Sequence, residues 1–403
     1  MLEEYRKFLN NNIIEKLQYI FFMIMIYLLC TRDTQKYDEK ILMILGILVL
    51  VDILKNKEYY SLNKKIIFFI LAWFIFINIS LYKAYILFPT NEYIGAYKVL
   101  ISAIVTFLMI SQIKIDKLLD RKKILDLINI LSIYGIYKGL VYSLEKGFFV
   151  RGNIWGGPNT YAILLGNFAI ISFASFLYSE KKIKKLLYLV LNICQLFFII
   201  SIGQSRTTFC SLVVIYFIGF FFFYFKKKNL KVLIRNTLIM IGIMVIFILI
   251  IDRYNLRVSR VSIEALVNNP RVGIWKRCLN DGFNIFIGKG LGYYLVGEHS
   301  FKDSVGVSIG TLHNDSLELL ITQGIFSLIS YWGLLLASLL LNIKEYLKFK
   351  NEYTLITIMF LIFLILLGML ETAIYVKRLI QFVFLFLAFS IEKEKSVFRD
   401  SDL

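Results

Sequence analysis

Apolar runs long enough to cross a lipid bilayer recur from the start of the chain almost to its end. A membrane-spanning helix needs about 20 mostly apolar residues. The sequence of a soluble domain does not contain a series of such runs. The mean hydropathy of +0.70 agrees with this pattern. The fold is therefore expected to be all-α and polytopic, with about 12 transmembrane helices. The expected spans are residues 17–30, 41–54, 66–82, 93–113, 124–143, 160–178, 186–203, 208–225, 232–251, 323–342, 353–370 and 374–391.

The chain is expected to form a single membrane domain, residues 1–403, interrupted by one large hydrophilic loop. The first nine spans fall within 1–251, the loop within 252–322, and the last three spans within 323–403. The first apolar run is longer than the core of a signal peptide, and no small-residue cleavage pattern follows it. This run is therefore expected to be a retained helix.

The net charge of +18 is distributed unevenly among the connecting loops. An excess of Lys and Arg recurs in every second loop, namely 55–65, 114–123, 180–185, 226–235 and 344–352. The intervening loops 31–40, 83–92, 144–159 and 204–207 are nearly balanced. Because Lys and Arg accumulate in cytoplasmic loops, this alternation places both termini in the cytoplasm. The charge then needs no nucleic-acid partner to explain it.

The four cysteines give no sign of a disulfide framework or a zinc site. Cys30, Cys194 and Cys210 fall in or beside apolar runs, and only Cys278 lies in a long loop. The spacing of these four cysteines matches no metal-binding motif. The sequence therefore predicts neither a metal nor a cofactor.

The loop from 252 to about 312 departs from the charge pattern. It is expected on the outer face, yet it holds eight basic and five acidic residues. Long loops cross the membrane regardless of charge, so one explanation is a solvated loop that is merely tolerated. The other is a surface that binds an anion.

A short helix is expected within this loop, in NNPRVGIWKRCLNDGF. Asn269 can cap it and Pro270 suits its first position. Helical spacing then predicts one apolar face, with the positively charged Arg271 projecting into it and other polar side chains opposite. The apolar residues are Val272, Trp275, Leu279 and Phe283, and the polar ones Lys276, Arg277 and Asn280.

An inward Arg271 in the first turn of a helix opposes the helix dipole. An anion held between the guanidinium and the free backbone N–H groups would relieve this conflict, and phosphate suits both partners. A salt bridge to Glu264 or Asp281 is the alternative.

The stretch GKGLGYYLVGEHS brings three glycines close together, Gly288, Gly290 and Gly292. It lacks the GxxxxGK[ST] spacing of a phosphate-binding loop, and an external turn explains the glycines equally well. His299, in the same polar stretch, is expected to be a solvated surface residue.

The second histidine, His313, lies in GTLHNDSLELLITQG. It is expected to open a helical stretch, with Leu317 and Leu320 following on the same face and Asn314 and Glu318 forming a polar stripe beside it. A histidine on an apolar face is commonly a hydrogen-bonded core residue. The alternative is a group that exchanges a proton near neutral pH.

Two further arginines lie beside expected helix starts on the outer face. VRGNIWGGPNTYAILLGN places Arg151 and Asn159 next to Pro158, which is expected to begin the sixth span. GQSRTTFCSL places Arg206 immediately before the eighth. Either arginine can be a membrane-interface anchor or part of a binding site.

Taken in order, four of these stretches resemble the O-antigen ligase and polymerase superfamily, integral membrane proteins that transfer glycans from polyprenyl pyrophosphate carriers. The stretches are RGNIWGGPNTYA, GQSRTTF, NPRVGIWKRCLN followed by GKGLGYY, and LHNDSLELLITQGIFSLI. Each is degenerate alone, while their order is more specific. Ligases and polymerases share these motifs, so the resemblance indicates the reaction more closely than the acceptor.

The resemblance implies a metal-independent, inverting glycosyltransferase with an extracytoplasmic active site. It makes His313 the residue that activates the acceptor hydroxyl, and it makes Arg206 and Arg271 the groups that hold the pyrophosphate. Arg151, Asn159, Asn314 and Arg277 are further candidates for substrate contacts. The implied partners are the lipid-linked oligosaccharide, the bilayer, and the flippase and chain-length regulator of the same pathway.

The expected function is that of an oligosaccharide repeat unit polymerase in a bacterial cytoplasmic membrane, making capsular or O-antigen polysaccharide. One alternative is an O-antigen ligase that transfers finished polymer to lipid A core. Another is a flippase for the same lipid-linked oligosaccharide, for which internal repeats and charged or broken helices at the bilayer midplane are expected. The sequence contains no such repeat. A role as a membrane scaffold would not explain the arrangement of His313 and Arg271.

Overall fold

A computed structural model shows a bundle of long helices. It describes residues 13–31, 36–56, 58–88, 91–113, 121–152, 154–155, 157–225, 270–295, 301–302, 308–390 and 394–397, with isolated positions at 234, 238, 242, 249 and 253. The regular secondary structure of these residues is helical, apart from two short pairs of strands.

The described part of the chain forms a succession of α-helices. They are α1 (Ile13–Thr31), α2 (Lys36–Asn56), α3 (Lys64–Leu87), α4 (Tyr93–Gln112), α5 (Arg121–Lys146), α6 (Pro158–Tyr178), α7 (Lys182–Phe198), α8 (Arg206–Phe225), α9 (Pro270–Asn280), α10 (Asp315–Gln323), α11 (Ile325–Phe349), α12 (Glu352–Leu370) and α13 (Lys377–Ser390). A π-helical turn, Ile199–Gly203, extends α7, and 3₁₀ turns lie at Tyr293–Leu295 and Ala373–Tyr375. The antiparallel strand pairs are β1 (Glu58–Ser61) with β4 (Glu394–Val397) and β2 (Phe301–Lys302) with β3 (Ser308–Ile309).

Among the described helices, nine are long and apolar enough to cross a membrane, which confirms a multi-pass membrane protein. They are α1, α3, α4, α5, α6, α7 with its π turn, α8, α11 and α12. The other three expected spans differ. Residues 41–54 belong to α2, which keeps charged residues at both ends, and 232–251 lie outside the described residues apart from isolated positions. Residues 374–391 divide into a 3₁₀ turn and the 14-residue α13.

Local chemistry explains where several helices begin. Pro158 is the first residue of α6, as expected from its preference for a position that needs no N–H donor. The side chains of Asn63 and Asn351 accept hydrogen bonds from Lys65 N (3.1 Å) and Tyr353 N (3.0 Å), which caps α3 and α12.

The centre of the bundle is formed by α6, α12 and α13. Every residue of α13 is buried, and α6 is buried from Tyr161 to Ser175. In contrast, α3 and α11 expose apolar side chains along their outer faces, for example Phe68, Ile75, Ile329 and Leu340. An apolar outer surface is what lipid solvates best.

The two ends of the bundle carry different loops. At one end the Tyr178 hydroxyl donates to the Lys350 carbonyl (3.0 Å), and Lys184 pairs with Asp126 (2.5 Å). Two loops with a basic excess, 180–185 and 344–352, therefore lie at this end. The starts of α6 and α13 lie at the other end, where the Arg378 guanidinium stacks over the Trp155 ring at 5.5 Å.

Within the expected loop 252–322, the described residues include two short helices. One is α9, with 11 residues, and the other is α10, with nine, which Gly324 separates from α11. The expected cap at Asn269 and the alternative partner Glu264 lie outside the described residues, which do not include 254–269.

Candidate functional site

A single carboxylate, that of Glu371, joins residues from three distant parts of the chain. Glu371 directly follows α12 and its side chain is 10 % exposed. Its Oε1 accepts a hydrogen bond from Arg271 Nη2 at 2.8 Å, and its Oε2 lies 2.9 Å from His313 Nδ1. Asn159 Nδ2 reaches Oε1 at 3.5 Å. Three residues singled out in the sequence thus meet on a fourth that was not.

The Glu371 carboxyl is held in its ionised form. Burial by itself raises its pKa, but the hydrogen bond from His313 and the positive charge of Arg271 outweigh burial, so the pKa lies below its ordinary value. An ionised carboxylate only accepts hydrogen bonds, so His313 Nδ1 carries the proton in this pair. When the imidazole is neutral, Nε2 of His313 is then the nitrogen that can accept a hydrogen bond.

His313 precedes helix α10 and does not open it, contrary to the expectation. Its backbone is left-handed, with φ of +52°, an uncommon conformation for a residue with a side chain. Asn314 is the N-cap of α10: its Oδ1 accepts from Leu317 N (2.9 Å), while its Nδ2 donates to the Met369 carbonyl (2.9 Å). Both ends of the Asn314 amide are engaged, so it positions the turn.

The apolar face of α9 differs from the expected one. Its inner side carries Arg271, Ile274 and Cys278, whereas Leu279 is 48 % exposed. The expectation that Arg271 points inward is nonetheless confirmed, and its partner is Glu371 in place of Asp281. The other terminal nitrogen of Arg271 donates to the Leu370 carbonyl.

Of two other residues on α9, Trp275 contacts the site and Arg277 does not. Trp275 Nε1 donates to the Leu312 carbonyl at 2.7 Å, which ties α9 to the residue before His313. Arg277 is exposed on another side of α9 from Arg271. The structure therefore does not bring Arg277 to the site.

Arg151 joins the cluster through Asn159. Its Nη2 donates to Asn159 Oδ1 at 3.1 Å, and its carbonyl accepts from the Tyr142 hydroxyl at 3.2 Å. Because Asn159 lies in the first turn of α6, it links Arg151 on one side to Glu371 on the other. Arg151 and Asn159, which the sequence places on either side of Pro158, are thus in direct contact.

Arg206 begins α8, beside the start of α6. The π turn before it brings Gly203 so close to α6 that a Cβ there would lie 2.8 Å from that of Ala162. Gly203 is followed by Gln204, whose φ is +46° and whose amide donates to the Phe149 carbonyl at 2.8 Å. Arg206 therefore lies at the site end of the bundle, next to the helix start that carries Asn159.

The glycine-rich stretch is a structural turn. The backbone N–H groups of Lys289, Gly290 and Leu291 donate to the carbonyls of Ile321 (2.7 Å), Thr322 (2.9 Å) and Ser80 (3.2 Å). Gly288 has φ of +65°, and a Cβ on it would lie 2.4 Å from the backbone of Thr322. These donors are already used, so the stretch does not cradle a phosphate.

Two buried carboxyls lie behind the site on α10. Asp315 accepts from the backbone N of Ile374 (3.0 Å), and Glu318 accepts from that of Leu312 (3.0 Å). Asp315 also fills the space beside Gly368, where a Cβ would approach its Oδ2 to 2.4 Å. These bonds fix the turn at His313 against the segment that follows Glu371.

The stability of the protein is expected to depend on the protonation of this pair. Burial raises the pKa of Asp315 to about 8 and that of Glu318 to about 7, from about 4 in an unfolded chain. The neutral forms favour folding, so the stability is complete below pH 4 and declines as the pH rises through 7 to 8. The melting temperature should fall between pH 5 and pH 8. Asp315→Asn should flatten this decline, and a slope equal to that of the wild type would contradict the assignment.

Arginines, rather than metal ligands, dominate the described site. No three His, Cys, Asp or Glu side chains come together as a metal-binding group in the part of the chain that the structure describes. The guanidinium groups of Arg151 and Arg271 offer N–H donors in the planar geometry that suits phosphate oxygens. The site residue missed from the sequence is Glu371. Its signal was a lone acidic residue between two apolar runs, in GMLETAIY.

No protein-family model matches the sequence, and no curated protein matches it. The resemblance to O-antigen ligases and polymerases therefore rests on the sequence motifs alone.

Proposed function

We propose that the chain is an extracytoplasmic glycosyltransferase, an oligosaccharide repeat unit polymerase that joins polyprenyl-pyrophosphate-linked glycan units into capsular or O-antigen polysaccharide. The observation that carries this proposal is the Glu371 cluster. It combines an oriented imidazole with guanidinium groups, at the end of a membrane bundle where a lipid-linked donor would present its diphosphate.

His313 acts as the general base. Its Nδ1–H is held by Glu371, so Nε2 can accept the proton of the attacking sugar hydroxyl. The imidazolium that forms is stabilised by the adjacent carboxylate, as in other His–carboxylate pairs. Such a base contributes about 10² to 10⁴ in rate.

The arginines stabilise the leaving group. The acceptor oxygen forms a bond to the anomeric carbon while the bond from that carbon to the diphosphate oxygen breaks, and the electron pair leaves on the polyprenyl diphosphate. Arg271 and Arg206, with Arg151 nearby, offset the charge that develops there. The diphosphate is already a good leaving group, so the step needs no nucleotide or metal. One displacement inverts the anomeric centre.

The reaction is tested with the purified protein in lipid nanodiscs. The wild type is expected to convert a polyprenyl-pyrophosphate oligosaccharide into longer lipid-linked products with EDTA present. A ligase would instead extend only an added lipid A core acceptor, which separates the closest alternative. Failure to consume the donor with either acceptor, together with its movement across the bilayer, would contradict the proposal and favour a flippase.

Arg271→Lys is expected to impair transfer nearly as much as Arg271→Ala, by about 10²-fold or more. A single ammonium cannot replace the two guanidinium nitrogens that donate to Glu371 and to the Leu370 carbonyl. It also cannot form a bidentate contact with a diphosphate. Arg277→Lys, an exposed change on the same helix, is the matched control and should be mild. A lysine variant with wild-type activity at position 271 would remove Arg271 from the diphosphate site.

The proposal also includes an orientation: a bacterial cytoplasmic membrane, both termini in the cytoplasm and the Glu371 cluster outside. The alternation of basic loops supports it. In intact cells, a cysteine at Lys276 on α9 should react with an impermeant maleimide, and one at Lys348 at the opposite end should not. The reverse pattern would place the site in the cytoplasm.

A further inference from the structure

Three consecutive apolar side chains point away from the protein in the turn after α9. Ile285 is 50 % exposed, Phe286 57 % and Ile287 39 %. The turn is ordered, because Asn284 Oδ1 accepts the backbone N–H groups of Phe286 (2.9 Å) and Ile287 (3.2 Å). Leaving three large apolar side chains half exposed to water is unfavourable relative to burying them. Such an arrangement indicates a surface that meets something apolar.

The backbone of this turn is fixed to the membrane-spanning helices. The N–H of Ile325, the first residue of α11, donates to the Ile285 carbonyl at 2.8 Å. The preceding Gly324 has φ of +89°, and a Cβ there would lie 2.1 Å from the Phe286 carbonyl oxygen. Lys83, near the end of α3, donates to the Gly288 carbonyl. The position of the turn along the bundle axis is therefore set by α3 and α11.

A run of stacked rings connects the turn with the outer faces of these helices. The Phe286 ring stacks on Phe326 of α11, with centroids 5.9 Å apart and 26° between the planes. Phe326 stacks in turn on Phe76 of α3, at 5.3 Å and 18°. Both helices are long and apolar enough to span a membrane. The apolar surface that they present to lipid thus continues onto the turn.

Two exposed tyrosines in the last two turns of α3 support the same position of the 285–287 turn along the bundle axis. Tyr82 is 66 % exposed and Tyr85 70 %. Tyrosine collects at the boundary between headgroups and acyl chains, because its ring is apolar and its hydroxyl is polar. The 285–287 turn lies beside this helix end, where the acyl region gives way to headgroups.

We propose that residues 285–287 insert into the interfacial layer of the leaflet in which α3 ends and α11 begins, with lipid acyl chains as the occupant of this surface. The turn anchors α9, which it follows directly, to the membrane surface. On the proposed function, this anchoring holds Arg271 at the height of a lipid diphosphate. The anchoring itself does not depend on that function.

The test uses a spin label at Phe286→Cys and, separately, at Ile287→Cys, in full-length protein in lipid nanodiscs. Cys194→Ser and Cys210→Ser remove two native cysteines, while Cys30 and Cys278 are buried. Accessibility is measured by power saturation with oxygen, which concentrates in lipid, and with a water-soluble nickel chelate. Both labels are expected to be several-fold more accessible to oxygen than to nickel.

Two controls define the scale. Ile75→Cys, on the outer face of α3, should give the lipid-facing pattern, and Lys276→Cys, exposed on α9, the aqueous pattern. Labels at 286 and 287 that resemble the one at Lys276 would overturn the proposal. Labels that neither reagent reaches would overturn it as well, because protein would then cover the turn. Since the readout is accessibility, an inactive glycosyltransferase would leave this result unaffected.

Discussion

Replacing His313 with alanine is expected to reduce polymer formation by about 10² to 10⁴-fold while the protein still accumulates in the membrane. The imidazole is partly exposed, at 27 %, and lies in a turn before α10, outside the apolar core. Its removal therefore affects the chemical step far more than packing. Polymer is measured together with the amount of protein and its melting temperature. A fall in all three would instead identify His313 as a structural residue.

His313→Gln separates proton transfer from hydrogen bonding. Glutamine can still donate to the Glu371 carboxylate, but it cannot accept and release a proton near neutral pH. This variant should be almost as inactive as His313→Ala. His299→Ala, at a position outside the described residues, is the control and should retain activity. Wild-type polymer from His313→Gln would show that position 313 only orients its neighbours.

Changing Glu371 to glutamine is expected to be nearly as damaging as losing His313. The carboxylate sets the tautomer of His313 and pairs with Arg271, with contacts of 2.9 and 2.8 Å. An amide cannot stabilise the imidazolium, and the loss of a carboxylate from such a pair costs up to about 10⁴-fold in rate. Purified Glu371→Gln should therefore bind the lipid-linked donor but extend it very slowly.

The matched control is Glu145→Gln, an exposed carboxylate near the end of α5. It should have wild-type activity and stability. Because removal of one partner from a buried ion pair can cost about 3 to 5 kcal/mol, the melting temperature of Glu371→Gln must be measured too. A stable variant with wild-type turnover would exclude Glu371 from any role in catalysis.

The membrane-spanning pattern could be predicted from hydropathy because each span must satisfy its own backbone hydrogen bonds and therefore needs a long apolar run. That argument fails for short or buried helices. Residues 374–391 are apolar, yet α13 begins only at Lys377 and is enclosed by other helices. An apolar run does not reveal whether lipid or protein will cover it.

The site was predicted in part. Arg151, Asn159, Arg271 and His313 carry local signals, such as a charge in an otherwise apolar face or next to a helix-starting proline. Glu371, the common partner of Asn159, Arg271 and His313, stands out only as a lone acidic residue between two apolar runs, and its contacts join it to positions 58, 100 and 212 residues away. Pairing at that separation is set by tertiary packing, which periodicity does not encode.

The face of α9 illustrates the same limit at short range. Apolar spacing favoured Val272, Trp275 and Leu279, but in the structure Leu279 is exposed. In an 11-residue helix, the bonds of Arg271 to Glu371 and of Trp275 to the Leu312 carbonyl decide the orientation. Leaving the buried partners of these two bonds unsatisfied would cost about 1 to 3 kcal/mol each, so together the bonds offset the exposure of one leucine side chain.

In the proposed mechanism, His313 and Glu371 act as one unit in glycosyl transfer. The most direct test compares single-turnover transfer rates of the wild type, His313→Gln, Glu371→Gln and the double variant, with a radiolabelled lipid-linked donor. Residues that act as a unit show strongly non-additive losses. The double variant is therefore expected to be about as slow as the slower single variant. Losses that multiply in the double variant would show that the two residues act independently and would contradict this account.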